Sequence, residues 1–167
     1  METVLREIPI FDNLERKQVD ELSDWLQRRE YGAGENVIRE GERPDGLYVL
    51  AKGTAEVVKE TAGGSLVIAT VEAPSVFGEM GLLNEEEARS AGVRAQTKLV
   101  TGFLPAPLFA SKLAENNLTA LRIGVNLGRI ACQRLRSTTR KLTALSEDVT
   151  RHALHAETFG INERSKK

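Results

Sequence analysis

Residues 34–60 read GENVIREGERPDGLYVLAKGTAEVVKE, and their punctuation decides the fold class. ENVIRE (35–40), GLYVLAK (46–52) and TAEVVKE (54–60) are short runs rich in β-branched and aromatic side chains, separated by the turn formers GERPD (41–45) and KG (52–53). Three more runs follow: SLVIATV (65–71), AGVRAQT (91–97) and KLVTGFL (98–104). The turns GAGE (32–35) and TAGG (61–64) complete the pattern. So many short strands at close spacing predict a closed β-roll or sandwich.

Glycine placement marks where this region stops. Eleven of the 14 glycines fall between Gly32 and Gly102, and only Gly124, Gly128 and Gly160 follow. Before the strands, Leu14, Val19, Leu22, Trp25 and Leu26 recur at helical spacing on a charged background, with Asp12 or Asn13 available as N-caps. After them, PAPLFASKLAEN (105–116) reads as a short helix with prolines at its start, and Asn116 or Asn117 can cap a longer one. Along that helix Leu121, Gly128, Leu135, Leu142 and Val149 repeat at seven. Val125, Cys132, Thr139 and Ser146 fill the intervening fourth positions, so one stripe faces a partner over several turns. The expected architecture is α+β: a jelly-roll-like β-roll with a short N-terminal helix, a second short helix and a long C-terminal dimerisation helix. Residues 1–146 form the domain, with the long helix from about 117, and 147–167 add a helix extension and polar tail.

Composition bounds the function. With 167 residues, 41% hydrophobic and 28% charged, the chain suits one ordinary globular domain, and a net charge of -1 gives no bulk attraction to polyanions. One cysteine, Cys132, excludes an intramolecular disulfide and a cysteine zinc site, which together with the absence of an apolar leader or membrane span points to the cytoplasm. Residues 116–146 hold six basic side chains and no acidic one, so the rest of the chain carries -7. Without interleaved aromatic residues this is read as a solvated cationic face rather than a nucleic-acid stripe.

The chemistry concentrates in FGEMGLLNEEEARSAGVRA, residues 77–95. Gly78 allows close backbone approach, the amides of the turn at 80–83 can donate to an anion, and Arg89 supplies a forked cation for phosphate oxygens. Glu79 would repel a phosphate unless it accepts from a sugar hydroxyl. These are the parts of a compact phosphate–ribose pocket. The acidic run Glu85–Glu87 reads as a solvated loop tip, with no metal expected. No histidine precedes His152, and His152 and His155 are spaced three apart in the polar tail, so neither a metal enzyme nor a catalytic triad can be assembled. The protein is read as not an enzyme.

On these residues the sequence resembles the cyclic nucleotide-binding domain family, and 77–95 looks like its phosphate-binding cassette. IPIFDNL (8–14) is similar to the family's N-terminal helical segment and 34–57 to the first strands of its β-roll. Within the family, the ten-residue step from Glu79 to Arg89 and the serine at 90 are most similar to the bacterial catabolite activator branch. The resemblance implies a ligand set of Gly78, Glu79, Met80, Gly81, Arg89 and Ser90, with Glu79 on the ribose 2′-hydroxyl and Arg89 on the cyclic phosphate. QRLRSTTRKL (133–142) resembles the stretch in which that branch presents two hydroxyls to adenine, here Thr138 and Thr139, one of them from a partner subunit. Val57, Ile68 and Val71 align with positions lining the base.

The implied ligand is cAMP. Ser90 keeps cGMP open, since a hydroxyl after the arginine favours guanine in kinase members of the family. The implied partners are the nucleotide, a second copy joined through the 117–149 helix, and an unknown protein effector. No DNA-binding domain or membrane is expected, because too few residues follow Ser146 for a winged helix. The alternative is a roll that keeps the cassette pattern without binding and serves as a dimeric adaptor.

Overall fold

The computed structural model describes residues 1–82 and 88–164, with side chains beyond Arg140 described only at Thr143. It divides into two compact units at Leu127/Gly128.

The first unit holds two four-stranded antiparallel sheets. One runs β1 (Gln27–Tyr31), β8 (Leu99–Pro105), β3 (Gly46–Lys52) and β6 (Ser75–Phe77). The other runs β2 (Asn36–Ile38), β7 (Gly92–Ala95), β4 (Thr54–Thr61) and β5 (Gly64–Glu72). All six runs read from sequence are strands. β1 and β6 carry little signal in the sequence: QRREY holds three charges and SVF spans three residues, so neither has a usable alternation.

Period-two geometry explains the layers. On β3, Tyr48 and Leu50 join Phe77, Leu99 and Phe103 of the same sheet and Ile38, Ala55, Val93 and Ala95 of the other in the core between the sheets. Leu47, Val49 and Leu104 turn the other way and are fully buried. There the sheet meets the helical layer: a β-carbon at Gly102 would lie 3.1 Å from Leu26 Cδ1. Burial on both faces is why β3 reads as a continuous apolar run. By contrast β5, at the edge of the second sheet, is exposed at almost every position.

The N-terminal part consists of α1 (Glu2–Arg6), a 3-10 turn (Pro9–Phe11) and α2 (Arg16–Trp25). The cap of α2 corrects the sequence reading. It is Glu15, whose backbone N–H donates to Gln18 Oε1 at 3.0 Å. Asp12 and Asn13 are spent earlier: the Asp12 N–H closes the 3-10 turn on Pro9 O at 3.2 Å, and Asn13 takes φ 62° to reverse the chain. The short helix after the roll is α3 (Ala106–Ala114), with Pro107 in its first turn.

The long helix α4 spans Leu118–Arg164, running through the stretch from 147 expected as a helix extension. Asn117 caps it, accepting from the Ala120 N–H at 3.1 Å. Its root is fastened within the first unit. Ala120, Ile123 and Leu127 are buried, Glu21 accepts from Asn117 Nδ2 at 2.7 Å and Thr119 Oγ1 at 2.5 Å, and Asn126 Nδ2 donates to Ile10 O and Asp12 O at 3.2 and 2.9 Å. The opposite stripe, Leu118, Leu121 and Val125, is 41–58% exposed.

The second unit is the helical segment from Gly128. Its described side chains are exposed, Cys132 and Leu135 included, with Ile130 half-buried. A β-carbon at Gly128 would meet nothing within 4 Å. The side chains of Leu142, Ser146, Val149, His152 and His155 lie outside the described set.

Candidate functional site

Strand β6 ends at Phe77, and the chain then turns at Gly78 with φ +74°, a conformation that penalises a β-carbon. Glu79–Leu82 form a 3-10 turn, closed by the Gly81 N–H on Gly78 O at 3.1 Å. Glu79 is half-exposed at the start of this turn, and Met80 is 65% exposed. Leu83 and the acidic run Glu85–Glu87 lie outside the described residues.

Where the chain re-enters, Arg89 is clamped by both its main chain and its side chain. Its N–H donates to Glu42 O and its carbonyl accepts from the Gly41 N–H, each at 2.8 Å. Its side chain is 6% exposed; Nη1 donates to Gly78 O at 2.9 Å, and Nη2 donates to Asp45 Oδ1 at 2.8 Å and Gly46 O at 2.7 Å. These bonds engage three of the five N–H groups of a guanidinium. Two glycines make room for it: a β-carbon at Gly78 would lie 2.9 Å from Arg89 Nη1, and one at Gly81 would lie 2.8 Å from it and 2.7 Å from Pro44 Cβ. Gly78, Gly81 and Arg89 therefore form one knot, with Glu79 and Met80 in the turn between them.

A second fastening holds the next residue. The side chain of Lys59 on β4 donates to Ser90 O at 2.8 Å and to Glu40 Oε1 at 2.5 Å, while the Glu60 N–H donates to Glu40 Oε2 at 2.9 Å. The hydrogen bond from Lys59 and then that from the Glu60 amide hold the Glu40 carboxyl below its ordinary range. Ser90 itself is exposed.

Of the residues expected to line a base, Val57 pairs with Val93 and Val71 with Ala55. Both are half-buried on the inner face of the roll. Ile68 falls at the register shift opposite Val57/Val58 and is 54% exposed, so the pairing does not set it among them. Thr138 and Thr139 belong to the second unit; both are exposed, and the Thr139 hydroxyl donates to Leu135 O at 3.0 Å. Sequence reading missed Asp45 and Gly46, which hold the arginine from 44 and 43 residues away. Asp45 stood in the turn GERPD, where an aspartate needs no further reason.

Among the described residues no group of three or more His, Cys, Asp and Glu could hold a metal ion, and no helix is long and apolar enough to cross a membrane. A closed two-sheet roll, with an arginine buried behind a glycine-lined turn and a half-exposed glutamate beside it, has the parts of a site for a small phosphate ester.

The chain belongs to the cyclic nucleotide-binding domain family, whose model matches residues 28–116. That match holds the whole cassette and stops before α4. Over 121 residues, 72% of this chain, it is 36% identical to a cAMP-dependent protein kinase regulatory subunit of Schizosaccharomyces pombe, of which it spans 28%. Over 134 residues, 78% of this chain, it is 31% identical to the cAMP-activated global transcriptional regulator Vfr of Pseudomonas aeruginosa, of which it spans 61%. Among solved structures, the catabolite activator protein of Thermus thermophilus superposes with a TM-score of 0.73 at 27% identity, over 83% of this chain and 63% of that one. The fold expected from sequence, a β-roll with flanking helices and a long C-terminal helix, is the fold observed.

Proposed function

We propose that this chain is a cyclic nucleotide sensor that takes cAMP into the cassette at 78–90, with Arg89 on the cyclic phosphate and Glu79 on the ribose 2′-hydroxyl. One observation carries the reading: an arginine side chain 6% exposed behind a turn whose two glycines leave space for nothing larger. A cation buried this far must be compensated, and among the described residues its carboxylate partner, Asp45, has a side chain 52% exposed. The knot holds a planar donor in fixed orientation, the form in which arginine recognises phosphate oxygens.

The names of the two relatives described above specify cAMP, which supports it as the ligand here. The site residues are assigned as Gly78, Glu79, Met80, Gly81, Arg89 and Ser90, with Val57, Ile68 and Val71 toward the base and Thr138 and Thr139 capping it. The exposed stripe of Leu121, Val125, Cys132 and Leu135 supports pairing with a second copy through α4. Signal output then passes through this helix to a protein effector, in the cytoplasm, with neither catalysis nor a metal assigned.

Calorimetric titration of the purified protein, checked for co-purified nucleotide, tests the reading. Wild type is expected to bind cAMP and to discriminate against 2′-deoxy-cAMP by about 1–2 kcal/mol, and Glu79→Ala is expected to lose that discrimination. No binding by nucleotide-free protein would leave the dimeric adaptor.

A further inference from the structure

Arg89 is not the only cation attached to Asp45. The carboxylate spends Oδ1 on Arg89 at 2.8 Å, while Oδ2 accepts from the Tyr48 hydroxyl at 3.2 Å and lies 4.0 Å from Nη1 of Arg29. Arg29 Nη1 also donates to the Tyr48 hydroxyl at 3.3 Å, so the phenol accepts from one partner and donates to the other. Burial, and then the charge of Asp45, push the Tyr48 phenol above its ordinary range and keep it a donor. Arg29 is held in place by aromatic rings: its guanidinium carbon is 3.5 Å from the Phe103 ring centre and 5.8 Å from that of Tyr48. Three adjacent strands, β1, β8 and β3, thus deliver a second arginine to the carboxylate that holds the first.

The charge balance gives this a consequence. Arg89 and Asp45 alone sum to zero, and an anion approaching a neutral pair gains little from it. Arg29 makes the group net positive and shares the carboxylate, so less of Asp45's field opposes a bound phosphate. We infer that Arg29 is a positioning residue for anion binding, acting on Arg89 through Tyr48 and Asp45 and setting how strongly the cassette holds a phosphate. The inference rests on the assignment of Arg89 to the cyclic phosphate.

Calorimetric titration of the full chain with cAMP at low and high salt separates the two. Arg29→Gln is expected to weaken binding by roughly three- to tenfold at low salt, with a smaller loss at high salt. Arg29→Lys, which keeps the charge but loses the planar stack on Phe103, is expected to lose less affinity than Arg29→Gln. Asp45→Asn, which retains an oxygen for Arg89 and removes the opposing charge, is expected to bind more tightly by roughly the Arg29→Gln factor. Unaltered affinity in Arg29→Gln would overturn the inference while leaving the Arg89 assignment intact. So would a lysine variant as weak as the glutamine one, because lost packing would then be the cause, or weaker binding by Asp45→Asn. Thermal melts of each variant report whether the roll has folded. Absence of cAMP binding by wild type would remove the assignment and the inference together.

Discussion

Arg89 and Leu135 stand for the two regions of this molecule, and each breaks the ordinary rule for its residue type. Arg89, an arginine, has a side chain 6% exposed; Leu135, a leucine, is 68% exposed. Around Arg89 the answering groups are already in the chain: two carbonyls, a carboxylate, and a main-chain exchange with Gly41 and Glu42. Around Leu135 and its neighbours from Gly128 the described side chains are exposed or half-buried, and the Thr139 hydroxyl turns back on its own helix. The described partners of Arg89 all lie in its own chain. On the proposed reading, the helix gains its specificity from the second copy that covers it.

The largest expected effect falls at the centre of the cassette. Arg89→Ala is expected to weaken cAMP binding by about 2–5 kcal/mol, roughly 30-fold to several thousand-fold, read by calorimetry. Unchanged affinity would remove the contrast altogether, because the buried arginine would then serve only the roll. Gly78→Ala comes next. It adds a β-carbon 2.9 Å from Arg89 Nη1 at a position with φ +74°, and is expected to cost about 1–3 kcal/mol of stability, measured by denaturant unfolding.

The two helix predictions are smaller in energy and sharpen the other side. Leu121→Asp with Leu135→Asp is expected to halve the mass seen by light scattering and leave the melt of the roll in place, since both side chains are exposed in the single chain. A wild type already monomeric would contradict pairing through α4. Thr138→Ala and Thr139→Ala are each expected to reduce the preference for cAMP over cGMP by about 0.5–1.5 kcal/mol, without touching the discrimination proposed for Glu79. Equal preferences in wild type and variants would leave the helix out of base recognition.

What could be read from sequence follows the same division. GLYVLAK and KLVTGFL announced β3 and β8 because burial on one or both faces forces apolar content into a strand. Gly78, Glu79 and Arg89 were legible as a pattern because their residue types and spacing carry chemistry by themselves. Asp45 was not, since its bond to Arg89 spans 44 residues and only the pairing of β3 with β6 and β8 brings its turn to the cassette. Nor was the cap of α2: Asp12 and Asn13 have better capping side chains than Glu15, but a 3-10 turn uses the first and a left-handed turn the second. Arg29 escaped for a related reason. In QRREY it is one charge among several, and what distinguishes it is the Phe103 ring beneath it, which lies on another strand.

The central claim, that Arg89 is held ready for a cyclic phosphate, is tested most directly by a crystal structure of the chain with cAMP. The account expects phosphate oxygens at about 2.7–2.9 Å from the Arg89 guanidinium and the ribose 2′-hydroxyl on Glu79. A nucleotide bound elsewhere, with Arg89 still engaged only by Gly78, Asp45 and Gly46, would contradict it.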